Sequence, residues 1–97
     1  MTIELKEEAL EYYVLASLSL EDLYGAQILQ KVAPYLTVNQ ADLYAVLTKL
    51  ENEGKITKKL VQESEFRHYN LCSITPSGRK YVETFMKELN RKLPRYW

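Results

Sequence analysis

Between Val38 and Gly54 the chain reads Val-Asn-Gln-Ala-Asp-Leu-Tyr-Ala-Val-Leu-Thr-Lys-Leu-Glu-Asn-Glu-Gly, and no other stretch constrains the fold as strongly. Leu43, Val46, Leu47 and Leu50 recur at helical spacing and form one apolar stripe that has to be buried. Asn39 is a favoured N-cap residue, and Asp42 in the first turn complements the helix dipole. Gly54 stands where a left-handed residue commonly ends a helix. The opposite face, Ala41, Tyr44, Ala45, Thr48 and Asn52 with Lys49 beside it, is small or neutral-polar. A helix with that outer face suits a partner outside the protein.

The flanking stretches supply what covers the stripe. From about Leu5 to Leu18, Leu10, Tyr13, Val14 and Leu18 predict a first helix rich in strong helix formers. Leu23 to Val32 predicts a second, capped by Ser19 or Asp22 and ended by Pro34. Gly25 near its start is expected to allow close packing against a neighbouring helix. Two helices joined this closely form a helix-turn-helix. Beyond Gly54 the period changes. Lys55 to Val61 and Phe66 to Ile74 read as two strands of an antiparallel hairpin around a polar turn, Gln62 to Glu65. Thr75 as N-cap and Pro76 at the first helical position then open a last helix. Its stripe of Val82, Phe85, Met86, Leu89 and Leu93 needs the first helix or a second chain to cover it.

The 97 residues are one domain's worth, with 46% hydrophobic and 27% charged residues, an ordinary globular composition. No apolar run is long enough for a membrane span, and the acidic start Thr2–Glu8 is unlike a signal peptide. The lone Cys72 fits a reducing cytoplasm. The net charge is zero, but it hides an acidic first third and a basic segment, Lys55 to Lys80. Catalysis has little to stand on. His68 and Cys72 share one expected strand, about 13 Å apart at its usual rise, and cannot form a nucleophile–base pair. One His and one Cys do not make a common zinc site either, and no other cofactor is implied.

Helix, helix, helix, strand, strand, helix is the order of a winged helix-turn-helix, a mainly α fold with a small β-hairpin (α+β). In that architecture the third helix enters the major groove of DNA and the hairpin, or wing, follows an adjacent groove or the backbone. Asn39, Gln40, Tyr44, Thr48 and Lys49 are the expected readers on the helix. Lys58, Lys59, Arg67 and His68 are the expected phosphate contacts on the wing. The competing reading is a winged-helix module that binds protein instead; Asp42, Glu51 and Glu53 around the helix favour it.

Several short motifs in this order also resemble one family, the PadR-like transcriptional regulators. They are Leu23-Tyr24-Gly25, then Leu43-Tyr44 leading through Leu47 to Leu50-Glu51 and on to Gly54 and Ile56. Arg67 and Tyr69 follow, and then Ile74-Thr75-Pro76-Ser77-Gly78. The matches span roughly residues 10 to 85. The wing lacks the family's usual glycines, and the longer Tyr69–Thr75 spacing predicts extra residues or a bulge in the second wing strand. The resemblance implies a cytoplasmic homodimeric DNA-binding regulator, most often a repressor. Residues 1–75 would form the winged domain, and residues 76–97 a dimerisation helix and tail within one structural unit. Tyr13, Val82, Phe85, Met86, Leu89 and Leu93 are the expected dimer contacts. A twofold dimer implies a pseudo-palindromic operator with half-sites about 34–36 Å apart. A small-molecule effector, if one exists, would lie in the dimer interface near Tyr12, Tyr13, Tyr96 and Trp97.

Overall fold

A computed structural model describes residues 3–92. Leu93, Tyr96 and Trp97, expected at the dimer interface or its aromatic lining, lie outside the described residues. The elements are α1 (Ile3–Leu18), β1 (Leu23–Tyr24), α2 (Gly25–Val32), α3 (Gln40–Asn52), β2 (Ile56–Ser64), β3 (Arg67–Ile74) and α4 (Pro76–Lys92). This is the expected winged helix-turn-helix, with one strand more than the sequence announced.

The core follows from the stripes. Leu10, Val14, Leu15 and Leu18 of α1 meet Ile28 and Val32 of α2 and Leu43, Val46, Leu47 and Leu50 of α3, all buried in one cluster. Leu23, Ile56 and Cys72 close it on the sheet side. Asn39 is the N-cap of α3, its Oδ1 accepting the Asp42 N–H at 2.8 Å. Gly54, with φ +75°, is the left-handed residue just past α3.

The second helix begins two residues later than its pattern implied. Leu23 and Tyr24 pair instead with Cys72 and Leu71, giving a three-stranded antiparallel sheet in the order β1-β3-β2. Burial of Leu23 in the core favours this extended placement over a first helical turn. Neither Ser19 nor Asp22 caps α2. The N-cap is Tyr24, in extended backbone, and the Gln27 side chain reaches back to accept the Tyr24 N–H at 2.9 Å. Ser19 is occupied at the end of α1, donating from its hydroxyl to the Ala16 carbonyl.

The wing also departs from expectation. β3 pairs without interruption from Ile74 to His68, so the expected bulge between Tyr69 and Thr75 is absent and Tyr69 to Ile74 is regular strand. The irregularity lies on the other strand, where the register slips between Gln62 and Ser64 and leaves Glu63 as the extra residue.

A single threonine ties the wing's base to α3 and α4. The Thr75 hydroxyl donates to the Gly54 carbonyl at 2.7 Å and accepts the Gly78 N–H at 3.1 Å, while the Thr75 N–H bonds the Lys55 carbonyl. Gly78 is where this clamp needs glycine. A Cβ there would collide with the Lys55 carbonyl oxygen and come within 2.8 Å of Ile74 Cγ1. Gly25, by contrast, has ordinary room: a Cβ would meet the Tyr44 ring at 3.7 Å, so close helix packing does not demand it. Gly78→Ala is therefore expected to cost about 2 kcal/mol, a fall of roughly 10 °C in Tm. Gly25→Ala should leave Tm unchanged or raise it, and thermal denaturation of the two variants checks the contrast.

Candidate nucleic-acid interface

Because α3 commits Leu43, Val46, Leu47 and Leu50 inward, its other face is necessarily outward. Gln40, Ala41, Tyr44, Ala45 and Thr48 are all exposed, with Tyr44 at 47%. Three of the expected readers, Gln40, Tyr44 and Thr48, thus share one open surface. Asn39 is beside them, but its side-chain oxygen is used in capping the helix.

Lys49 does not join that surface. Its ammonium lies 2.9 Å from Glu11 Oε1 and 3.6 Å from Glu7 Oε1, both on α1. Glu11 is the one buried charged residue among those described, at 5% exposure. The approach to its buried oxygen is close but off-axis, so charge neutralises it more than a well-directed hydrogen bond does. The contact with Glu11 holds the Lys49 ammonium above the ordinary lysine value, and Glu7 and Glu53 add to the effect against some desolvation. The residue therefore fastens the outward helix to the first helix.

The wing divides its cations between two faces. Directly paired residues of neighbouring strands share a face. Lys58 pairs with Cys72 and Gln62 with His68, so Lys58 and His68 belong to the face that continues into the core. Lys59, paired with Leu71, belongs to the opposite face, as does Arg67 by alternation along β3. Lys58 is also half-buried, with its ammonium 3.7 Å from Glu51 on α3. Lys59 and Arg67 are exposed and have no carboxylate partner among the described residues.

Between α3, the start of α2 and the wing runs an open groove of about 450 Å³. Tyr24, Gln27, Tyr44, Lys58, Glu63, His68, Tyr69 and Asn70 line it, with Leu47 and Cys72 at its base. Tyr24 and Tyr69 pack against each other, ring centroids 5.3 Å apart. Sequence reasoning passed over Tyr24, Gln27, Tyr69 and Asn70. The signals for them were the Leu-Tyr-Gly run and the alternation of β3, but the β1–β3 pairing that brings them together is long-range. Burial pushes the Cys72 thiol up, with Lys58 opposing, so it is a packing residue and not a nucleophile. Among the described residues no three His, Cys, Asp or Glu side chains gather to hold a metal, and no helix is long and apolar enough to cross a membrane.

At the far side of the molecule, α4 lies along α1. Tyr12 stacks on Phe85 with centroids 4.5 Å apart, and its hydroxyl donates to the Met86 sulfur. Val82 is half-buried against the core, whereas Met86 and Leu89 remain 38% and 39% exposed. Tyr13 stacks instead on Tyr35, centroids 5.3 Å apart and rings nearly parallel. Of the expected dimer contacts, Phe85, Met86 and Leu89 therefore lie along one face with Tyr12, and Tyr13 is turned to a different neighbour.

The Transcriptional regulator PadR-like family model matches residues 14–84, and the chain belongs to that family. Among solved structures it is similar to smu.1704 from Streptococcus mutans UA159, at 32% identity and TM-score 0.75 over 84% of this chain and 76% of that one. A PadR-like transcription factor from Bacteroides fragilis matches at 27% identity and TM-score 0.79, over 91% of this chain and 89% of that one. Bacillus subtilis PadR, solved in complex with operator DNA, shares the fold at 22% identity and TM-score 0.74, over 79% of this chain and 46% of that one. No curated protein matches the chain.

The Lys49 ion pair predicts a definite pH dependence. A lysine whose folded pKa is raised contributes stability that is full below its ordinary value, 10.5, and is lost as pH rises through the elevated folded value. Lys49→Met is therefore expected to lower Tm near neutral pH. Its deficit relative to the unmodified chain should shrink as pH climbs beyond 10.5. Paired thermal melts across the alkaline range check this; a deficit that stays constant would count against the pair.

Proposed function

We propose that this chain is a sequence-specific DNA-binding transcriptional regulator that works as a homodimer and represses. The observation that carries the reading is the outward face of α3. Gln40, Tyr44 and Thr48 stand exposed at one-turn spacing among the small residues Ala41 and Ala45, flanked by the wing. Such a face can enter the major groove, where Gln bonds adenine edges and Thr and Ala meet thymine methyls. The family assignment and the shared fold of a PadR solved on operator DNA support the same reading. Lys59 and Arg67 would hold phosphates from one face of the wing and His68 from the other; Asn39 would act by shaping the helix start.

The open residues Met86 and Leu89, continuous with the Tyr12–Phe85 stack, support dimerisation through α4. A twofold dimer requires a pseudo-palindromic operator, and a protein seated across a promoter represses by occupancy. A regulator of this kind would act in the cytoplasm. An effector pocket at the dimer interface loses support, since Tyr12 and Tyr13 are already stacked on Phe85 and Tyr35.

One observation favours the protein-binding alternative: Lys49, Lys55 and Lys58 are all paired with carboxylates, which lowers the attraction for DNA. A footprint on the region upstream of the gene decides between the two. A protected, roughly symmetric site supports the regulator; no protection at low salt, with a dimeric protein, overturns it. On that site Gln40→Ala and Thr48→Val should change which bases are preferred. Lys59→Ala and Arg67→Ala should weaken all duplexes alike, and binding to a panel of single-base variants measures the difference.

A further inference from the structure

Between the reading helix and the dimer helix that the proposed function needs stands α1, and its contacts to the two differ in kind. Toward α3 the contact is ionic. Glu7 and Glu11, one turn apart on the same side of α1, both face Lys49, with Glu11 Oε1 2.9 Å from the ammonium. Glu11 is only 5% exposed and sits beside the core residues Leu10, Val14 and Leu15. The next residue, Tyr12, points about 100° further round the helix and meets α4, stacking on Phe85 at 4.5 Å and donating to the Met86 sulfur. A second tie holds the start of α4, where Arg79 donates to the Ser19 carbonyl just past α1 at 3.2 Å. A twofold dimer through α4 would therefore carry its two α3 helices on the two α1 helices as arms.

Apolar packing alone does not fix such an arm closely. The burial of Leu43, Val46, Leu47 and Leu50 is non-directional, and cores of this kind lose uniqueness before they lose stability. A carboxylate at the core's edge is different, because it requires one ammonium at one place. Fixing register is the best-attested use of a buried ion pair, which is otherwise a weak source of stability. We infer that Glu11 and Lys49 are positioning residues that hold α3 at one angle to α1, and thereby set the half-site spacing that a dimer accepts. The inference rests on the regulator reading, and it assigns Lys49 to geometry in place of base or phosphate contact. One base pair added between half-sites moves them about 3.4 Å apart and turns one by about 35° about the duplex axis. Loosening the α1–α3 angle in each protomer is then felt as tolerance of the wrong spacing.

The test uses the full chain and an operator recovered by in vitro selection, then lengthened or shortened by one base pair between its half-sites. Binding is followed by fluorescence anisotropy over a salt series. The unmodified chain is expected to prefer its own spacing. Glu11→Gln keeps the size of the side chain and removes the buried charge; the preference should fall about tenfold with the salt slope unchanged. In the double variant Glu11→Leu with Lys49→Met an apolar pair replaces the ionic one. Its Tm should equal or exceed that of the unmodified chain while the spacing preference stays relaxed. A pair with a merely structural role predicts a preference that recovers together with Tm, and that result would overturn the inference. An undiminished preference in Glu11→Gln does the same, whether or not the double variant folds. So does a salt slope that Glu11→Gln steepens by about 0.9 per protomer, since a released Lys49 would then be holding a phosphate. An unmodified chain that binds every spacing equally sinks the inference and leaves the regulator reading standing; one that binds no duplex removes both.

Discussion

The burial of one side of α3 is the constraint on which the rest of this structure depends. Leu43, Val46, Leu47 and Leu50 have no alternative but the cluster formed by α1, α2 and the sheet. At about 25 cal/mol per Å² of apolar surface, four such side chains make this the dominant local driving force. Rotating the helix by one residue would carry about 100° of that stripe toward water and bring Tyr44 and Thr48 inward. The outward face is thus specified by the inward one. The outer residues can vary in chemistry without loss of fold, which is the property a reading surface needs.

Around that helix the charges serve mechanics before recognition. Lys49 ties α3 to α1 through Glu11 and Glu7, Lys58 ties the wing to α3 through Glu51, and Lys55 lies over the Tyr81 ring of α4 while pairing with Glu53. An exposed pair of this sort adds little to stability. The Glu11 carboxylate is different, because a buried charge left without its partner is costly, so the angle of α3 to α1 is defended by electrostatics as well as packing. Since α1 also carries Tyr12 against Phe85, the same helix touches both the proposed reading element and the proposed dimer element.

The parts of this arrangement that were legible in the sequence are those with local causes. Helical periodicity gave α3 its stripe, Asn39 its cap and Gly54 its stop, and the Thr75-Pro76 pair opened α4 as expected. What escaped was set by long-range pairing. Leu23 and Tyr24 carry no strand signal in two residues; only β3 running beside them makes them β1. The bulge fell on Glu63 and not within Tyr69–Thr75, because strand register is decided by the partner strand and spacing within one strand does not reveal it. Lys49 illustrates the same point at the level of the site. It lies between the polar face and the stripe, and which side claims it depends on Glu11, 38 positions away in sequence but 2.9 Å in space.

This last case changes how the formal charge should be understood. A net charge of zero reads as a weak argument against nucleic acid when the basic residues of the second half are counted as available. The structure shows that several of them are spent holding elements together, so the available charge is lower still. A duplex-binding surface built under that restriction must gain affinity from shape and directed hydrogen bonds. These act only when the backbone is in register with the donors, whereas long-range attraction acts on any duplex. A surface of that kind loses little to salt and little to competing non-specific DNA, since both penalties grow with counterion release. In the proposed regulator the pairing of Lys49 and Lys58 within the fold would therefore work toward selectivity, at some cost in the speed with which a site is found.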